Sequence, residues 1–176
     1  PCPRRNRRVR DGEEEPVRTA AKKKLAFKKM AGTGNDFIMI DDRKLTFPAD
    51  NAELIRALCQ RQTGIGADGV ILLQPSEKHV FFMRIFNADG SQAEMCGNGS
   101  RCVAVFARGV GAVHADRFVF ETLAGPIQAQ ILPDGNVSVG LSEPKDLRLD
   151  LELDVDGQKV PAHFINTGVP HAVLFD

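Results

Sequence analysis

Asn87-Ala88-Asp89-Gly90-Ser91-Gln92-Ala93-Glu94-Met95-Cys96-Gly97-Asn98-Gly99-Ser100-Arg101 runs directly into Cys102-Val103-Ala104-Val105-Phe106-Ala107. The second part is apolar at consecutive positions and not along one stripe, which predicts a helix buried on all sides. Its start then lies inside the fold. The first N–H groups of a helix have no intrahelical partners and the macrodipole is positive there, so an anion is favoured. Cys96 arrives at that start behind a polar, glycine-rich loop, which makes it a candidate thiolate and a candidate base. Gly97 and Gly99 flank Asn98 and keep side chains away from the place where a carboxylate would meet the N–H groups.

A lone cysteine beside an apolar helix is usually a packed hydrophobe. Cys102, within the apolar run, fits that description, as does Cys59 near the end of an amphipathic segment. Cys96 does not, because Glu94, Gly97 and Asn98 surround it.

The chain has 176 residues, 43% of them hydrophobic, enough to bury a core in one domain or slightly more. No stretch approaches the roughly 20 consecutive apolar residues of a membrane span, and no secretory signal pattern is visible. Four cysteines without regular pairing suit a reducing compartment, so a cytoplasmic location is expected. The formal net charge of zero hides an asymmetry: residues 1–24 hold nine Lys/Arg and four Asp/Glu, the remainder fourteen and nineteen. Arg4-Arg5-Asn6-Arg7-Arg8, Glu13-Glu14-Glu15 and Lys22-Lys23-Lys24 read as a disordered charged tail, residues 1–24.

From Leu25 the pattern becomes short strands and two helices. Leu25–Met30 and Phe37–Asp41 read as strands around Ala31-Gly32-Thr33-Gly34-Asn35-Asp36. Asp50 with Glu53 resembles a capping box opening a helix to about Arg61, with Leu54, Ile55, Leu58 and Cys59 on one face. A second glycine-rich loop, Thr63 to Gly69, precedes the strand candidates Val70–Gln74 and Val80–Phe86. Beyond the apolar helix, Arg117–Thr122, Pro126–Leu132 and Asn136–Leu141 read as strands, the last two joined by a turn at Pro133-Asp134-Gly135. Leu141 to Lys145 looks like a boundary, followed by strands at Lys159–Asn166 and His171–Phe175. A last strand with nothing after it leads us to expect truncation, and a first residue Pro1 in place of Met a fragment or an extended reading frame.

Neither glycine-rich loop matches G-x-G-x-x-G or G-x-x-x-x-G-K-[ST], so phosphate cradling is not expected. No cysteines stand at C-x-x-C spacing, and His79, His114, His163 and His171 are scattered, so no metal site is expected. The chain has no Trp or Tyr and only Phe to stack a base, which argues against a nucleic-acid partner.

Four motifs resemble the diaminopimelate epimerase family, cofactor-independent amino-acid racemases, in the family's own order. They are Lys29 to Phe37, Arg61 to Gly69, Asn87 to Arg101, and Asn166-Thr167-Gly168-Val169-Pro170-His171. The resemblance implies an α/β (α+β) fold in which a curved, mainly antiparallel sheet wraps a central buried helix, repeated in two domains with the site between them. Residues 25–144 would form the N-terminal domain and residues 145–176 the start of a truncated second one. It implies interconversion of LL- and meso-2,6-diaminopimelate for lysine and peptidoglycan-precursor synthesis. One cysteine from each domain faces the α-carbon, one removing the proton and the other delivering a proton to the opposite face. Cys96 matches the first-domain cysteine, and His171 a histidine important for activity. Asn35, Asn87, Gly97 and Asn98 match substrate-binding positions, the last two at the α-carboxylate. The resemblance calls for no cofactor and no metal. It implies a small amino-acid substrate, no nucleic-acid or membrane partner, and leaves room for a homodimer of the full-length protein.

Read without the resemblance, Asn35 and Asn87 are turn formers as readily as substrate contacts, and His171 is as readily structural as catalytic. Ala31 stands where the family often has histidine, Gly69 where some members have a substrate-contacting glutamine, and Val169 where some have asparagine. The second catalytic cysteine is absent, and neither Cys2, Cys59 nor Cys102 can stand in for it. Two other readings compete. A proline racemase or hydroxyproline epimerase of the same fold would place histidine after Cys-Gly, where this chain has Asn98. A noncatalytic, ligand-binding half-protein would lack any second thiol.

Overall fold

The structure is a computed structural model that describes residues 24–141, 143–167 and 170–175. Of the expected tail only Lys24 is among them, and Cys2 and Val169 lie outside the described residues.

Eight strands form the first sheet, in the order β1 (Lys28–Gly32), β2 (Asn35–Asp41), β3 (Gly69–Gln74), β4 (Phe82–Asn87), β6 (Arg117–Thr122), β7 (Gly125–Ile131), β8 (Val137–Val139), with the short β5 (Gln92–Ala93) paired to β4. The pairs β2–β3 and β4–β6 are parallel and the rest antiparallel. Helix α2 (Gly97–Gly109) packs on β1, β2, β3, β4, β7 and β8, so the sheet curls around it. This is the expected mainly antiparallel sheet wrapped about a central helix.

Burial explains why the helix forms from such residues. Val103, Val105 and the glycines are poor helix formers at about 0.5–1 kcal/mol each. Burying Val103 and Phe106 among Met39, Ile71, Met83 and Phe120 contributes roughly 1.5–3 kcal/mol apiece, which outweighs that deficit. Burial on all sides is not complete, however: Val105 is 38% exposed and Gly109 is exposed, because the curl leaves one flank open. Phe81 and Phe120 stack at 4.9 Å beside Phe118 on the far side of the core.

Helix α1 (Ala52–Cys59) covers the other face of the sheet, where Ile55 and Cys59 meet Ile38, Ile40, Val70 and Leu72. With α2 on one face and α1 on the other, all six residues of β3 are buried, hence its continuous apolar run. The helix opens one residue later than the Asp50–Glu53 pattern suggests. Asn51 is the cap, its Oδ1 accepting from the Leu54 N–H at 3.0 Å, while Asp50 pairs with Arg84 at 3.0 Å. It ends at Cys59, two residues before the expected Arg61; the Leu58 and Cys59 carbonyls accept from the N–H groups of Gly66 and Ala67, and the carbonyl of the cap residue Gln60 from Gly64.

A second sheet, β11 (Pro170–Val173), β10 (Gln158–Asn166), β9 (Lys145–Val155), follows. β9 was not among the expected strands, although Leu147, Leu149, Leu151, Leu153 and Val155 alternate with charged residues at the strand period. Register shifts place three residues of β9 against two of β10 twice, with Asp146 and Asp150 at φ 55. These bulges move Arg148 onto the face of Phe164, its guanidinium 5.5 Å from the ring centre.

Candidate active site

Three strands bring the glycine-rich loops to one end of the first sheet. β2 and β3 run parallel with Phe37 opposite Gly69, and antiparallel β4 leaves the sheet with Asn87 opposite the same Gly69. Asn35 and Asp36, Asp68, and Asn87 therefore stand side by side at that end. A Cβ on Gly69 would lie 2.3 Å from the Phe86 carbonyl oxygen, so the close β3–β4 approach leaves no room for a side chain there.

β1 and β2 are joined by a two-residue turn, Thr33-Gly34, with φ of 50° and 90°. Two successive positive φ values define a type I′ hairpin, and its twist carries the turn over the start of α2. Asn98 Nδ2 donates to the Thr33 carbonyl (3.3 Å) and to Asn35 Oδ1 (2.8 Å). Arg101 donates to Thr33 Oγ1 (3.0 Å) and to Asn98 Oδ1. The amide hydrogens and the oxygen of Asn98 are thus all committed to the fold.

Cys96 is the N-cap of α2. Its backbone is extended (φ −147, ψ 121), its Sγ accepts from the Gly99 N–H at 3.5 Å, and its carbonyl accepts from Ser100 at 2.7 Å. The N–H groups of Gly97 and Asn98 come before any possible i−4 carbonyl of the helix, and no acidic residue lies in the first turn to compete for them. Cys96 is half-buried at the edge of the core, and Leu141 lies against Gly97, 3.6 Å from where a Cβ would be. Cys59 and Cys102 are each only 4% exposed, and burial pushes both thiols up from the ordinary range. Of these three cysteines, Cys96 is the one that is not packed into a core.

The structure therefore brings Cys96, Gly97, Asn98 and Asn35 together. Asn87 is at the same sheet end, exposed, and closes the turn into β5: its Nδ2 donates to Ser91 Oγ (3.0 Å) and its N–H to the Ser91 carbonyl. His171 is on β11 of the second sheet, opposite Ile165, with Nδ1 3.4 Å from Thr167 Oγ1.

Behind Asn35 lies a charge cluster that the sequence reading missed. Arg61 bonds both oxygens of Asp36 (2.9 and 3.2 Å) and Asp68 Oδ1 (2.6 Å), and Lys29 pairs with Asp36 at 3.1 Å. Asp36 and Asp68 also accept from each other's backbone N–H, at 3.1 and 3.2 Å. The Arg61 guanidinium holds the Asp36 carboxyl well below the usual carboxylate range, and the Asn35 amide lowers Asp68. The available signal was an aspartate closing each glycine-rich loop, with an arginine opening the second.

A curled, mainly antiparallel sheet wrapped around a central helix defines the α+β class of this chain. A probable proline racemase from Agrobacterium radiobacter superimposes with a TM-score of 0.65 at 18% identity, covering 86% of this chain and 52% of that one. A hydroxyproline epimerase from Agrobacterium vitis gives 0.63 at 18% identity, covering 84% and 50%. At that identity the likeness is one of fold. The family profile of diaminopimelate epimerase matches residues 27–146, and the chain belongs to that family. It is 41% identical over 166 residues to a diaminopimelate epimerase of Synechocystis sp. and 46% identical over 165 residues to one of Methanothrix thermoacetophila. These matches cover 86% of this chain and 60% and 58% of the relatives, so it spans somewhat more than half their length. No helix among the described residues is long and apolar enough to cross a membrane.

Proposed function

We propose that this chain carries the first thiol of a diaminopimelate epimerase, an isomerase that interconverts LL- and meso-2,6-diaminopimelate without a cofactor, in the cytoplasm. The observation that carries the reading is Cys96 as the N-cap of α2, beside the open N–H groups of Gly97 and Asn98, in a chain of this family.

The chemistry follows from that arrangement. An α-proton is very weakly acidic, and negative charge developing on the α-carbon spreads into the carboxylate as the proton leaves. N–H groups fixed in advance on that carboxylate stabilise the charge without reorganising. Gly97 and Asn98 supply them through the backbone, since the Asn98 side chain is already engaged. The Cys96 thiolate takes the proton from one face; in the reverse direction its thiol returns one. Asn35 and Asn87, at the neighbouring strand ends, contact the rest of the substrate, and His171 serves activity from the second sheet.

The reading divides the chain into a domain of residues 25–144 and the beginning of a second, residues 145–176. It places the opposing thiol in the part of the relatives' length that this chain does not span. Alone, residues 1–176 should form no meso-diaminopimelate from the LL isomer, because one face lacks its acid. Joined to the remaining length of a relative, the chain should epimerise diaminopimelate and incorporate solvent deuterium at the α-carbon, and Cys96→Ser should abolish both. Robust turnover by residues 1–176 alone, or by the Cys96→Ser fusion, would overturn the two-thiol reading. Turnover of proline or hydroxyproline in place of diaminopimelate would assign the chain to the other branch of the fold, and ligand binding without turnover would make it a binding half-protein.

A further inference from the structure

We propose that Asp68 is a positioning residue of this site: its carboxylate dictates which way the side-chain amides of Asn35 and Asn98 point, and so ties the hairpin turn to the helix start capped by Cys96. The inference rests on the reading of that helix start as the substrate site, but its geometry stands apart from it.

The groups that hydrogen-bond the Asp68 carboxylate converge on it from three directions, beside the Asp36 carboxylate that Arg61 bridges to it. Oδ2 accepts from Asn35 Nδ2 (3.0 Å) and the Asp36 N–H (3.2 Å), and Oδ1 from Arg61 (2.6 Å). An ionised carboxylate has no hydrogen to give, so Asn35 must turn its NH2 toward Asp68 and its oxygen away. That oxygen can then only accept, and it accepts from Asn98 Nδ2 at 2.8 Å. Asn98 is left with its oxygen toward Arg101, a residue with donors only. A carboxylate at one end of the series and a guanidinium at the other impose the same direction. Reversing either amide would set donor against donor or acceptor against acceptor.

The series joins the loop before β3, the start of β2 and the first turn of α2, which are far apart in sequence. Asp68 is itself held, because its N–H donates to the Asp36 carbonyl (2.9 Å) and Arg61 spans both aspartates. Opposite these bonds, Asn98 sits between Gly97 and Gly99, and its side-chain bonds to Thr33 and Asn35 act on the backbone that must present its N–H to a carboxylate.

The side-chain amides report the effect directly in the 15N-labelled chain. In Asp68→Ala, protection of the Asn35 and Asn98 amide hydrogens against solvent exchange should fall roughly tenfold, the loss expected when a hydrogen bond of ordinary strength goes. Asp68→Asn can still turn an oxygen to Asn35 and Asp36 while losing Arg61, so it should keep the Asn98 amide protected. Asp36→Asn removes the neighbouring ion pairs without touching Asn35 and should leave the Asn98 amide unchanged. Continued resistance of Cys59 and Cys102 to alkylation confirms that each variant is folded. An unchanged Asn98 amide in Asp68→Ala, or an equal loss in Asp36→Asn, would overturn the proposal. If the alanine variant does not fold, loss of Asn98 protection in folded Asp68→Asn would overturn it equally. None of these readouts depends on epimerase activity, so failure of the epimerase assay and failure of this proposal are separate results.

Discussion

Replacing Cys96 separates two properties of one side chain, its place as a helix cap and its acidity. As N-cap, its sulfur accepts from the Gly99 N–H at 3.5 Å, a long contact to a weak acceptor. Serine is among the preferred caps, and losing such a cap to alanine typically costs about 1 kcal/mol. Cys96→Ser should therefore unfold within about 0.5 kcal/mol of the parent chain, and Cys96→Ala about 1 kcal/mol below the serine variant. For a domain of this size that difference is roughly 2–4 °C in the thermal midpoint. Urea and thermal unfolding followed by circular dichroism, with the three chains side by side, measure it. Because α2 sits in the middle of the sheet, any change in its cap is read by the whole first domain. A serine variant clearly less stable than the alanine variant would refute the capping argument. It would mean that the sulfur matters through contact with its apolar neighbours and that the helix start is held by other means.

Iodoacetamide under native conditions should label Cys96 before Cys59 and Cys102, whose thiols are buried and pushed up; peptide mapping showing either of those labelled first would count against Cys96 as the reactive thiol. Gly69→Ala should cost about 3 kcal/mol or more, since its Cβ would meet backbone, 2.3 Å from the Phe86 oxygen, and a chemical-denaturation midpoint near the parent value would show that the strands can separate cheaply. Asp36 and Asp68 titrate lower in the folded chain than in the unfolded one, where an aspartate has a pKa of about 3.9. Their contribution to stability is present above that pH and is lost as the pH falls through the lower folded values. The urea midpoint should drop further between pH 6 and pH 3 in the parent than in Arg61→Gln; equal drops would remove Arg61 as the cause.

What could be read in the residues was local. Consecutive apolar residues from Cys102 to Ala107 require burial on more than one face, and a glycine-rich approach puts Cys96 at the helix start; both depend on neighbours within a few turns. The alternating strands are legible for the same reason, but the expected six-residue loop Ala31–Asp36 shortens to the two-residue turn Thr33-Gly34, because pairing carries β1 on to Gly32 and β2 back to Asn35. The cap of α1 was misplaced by one residue because Asp50 and Asn51 are both good caps, and Arg84, 34 residues away from Asp50, engages one of them. The alternating leucines of β9 are a strand signal that the sequence reading passed over, and its bulges carry no local signal, since they are set by pairing with β10. Asp68 is the clearest case of tertiary decision. Nothing in its own neighbourhood says that it faces Asn35, because that contact exists only when β2 and β3 lie parallel with Phe37 against Gly69. The same register brings Arg61 between two aspartates that would otherwise repel. Side-chain chemistry within a helix start is short-ranged and can be read along the chain; the direction of an amide depends on what stands across from it, and strand register decides that.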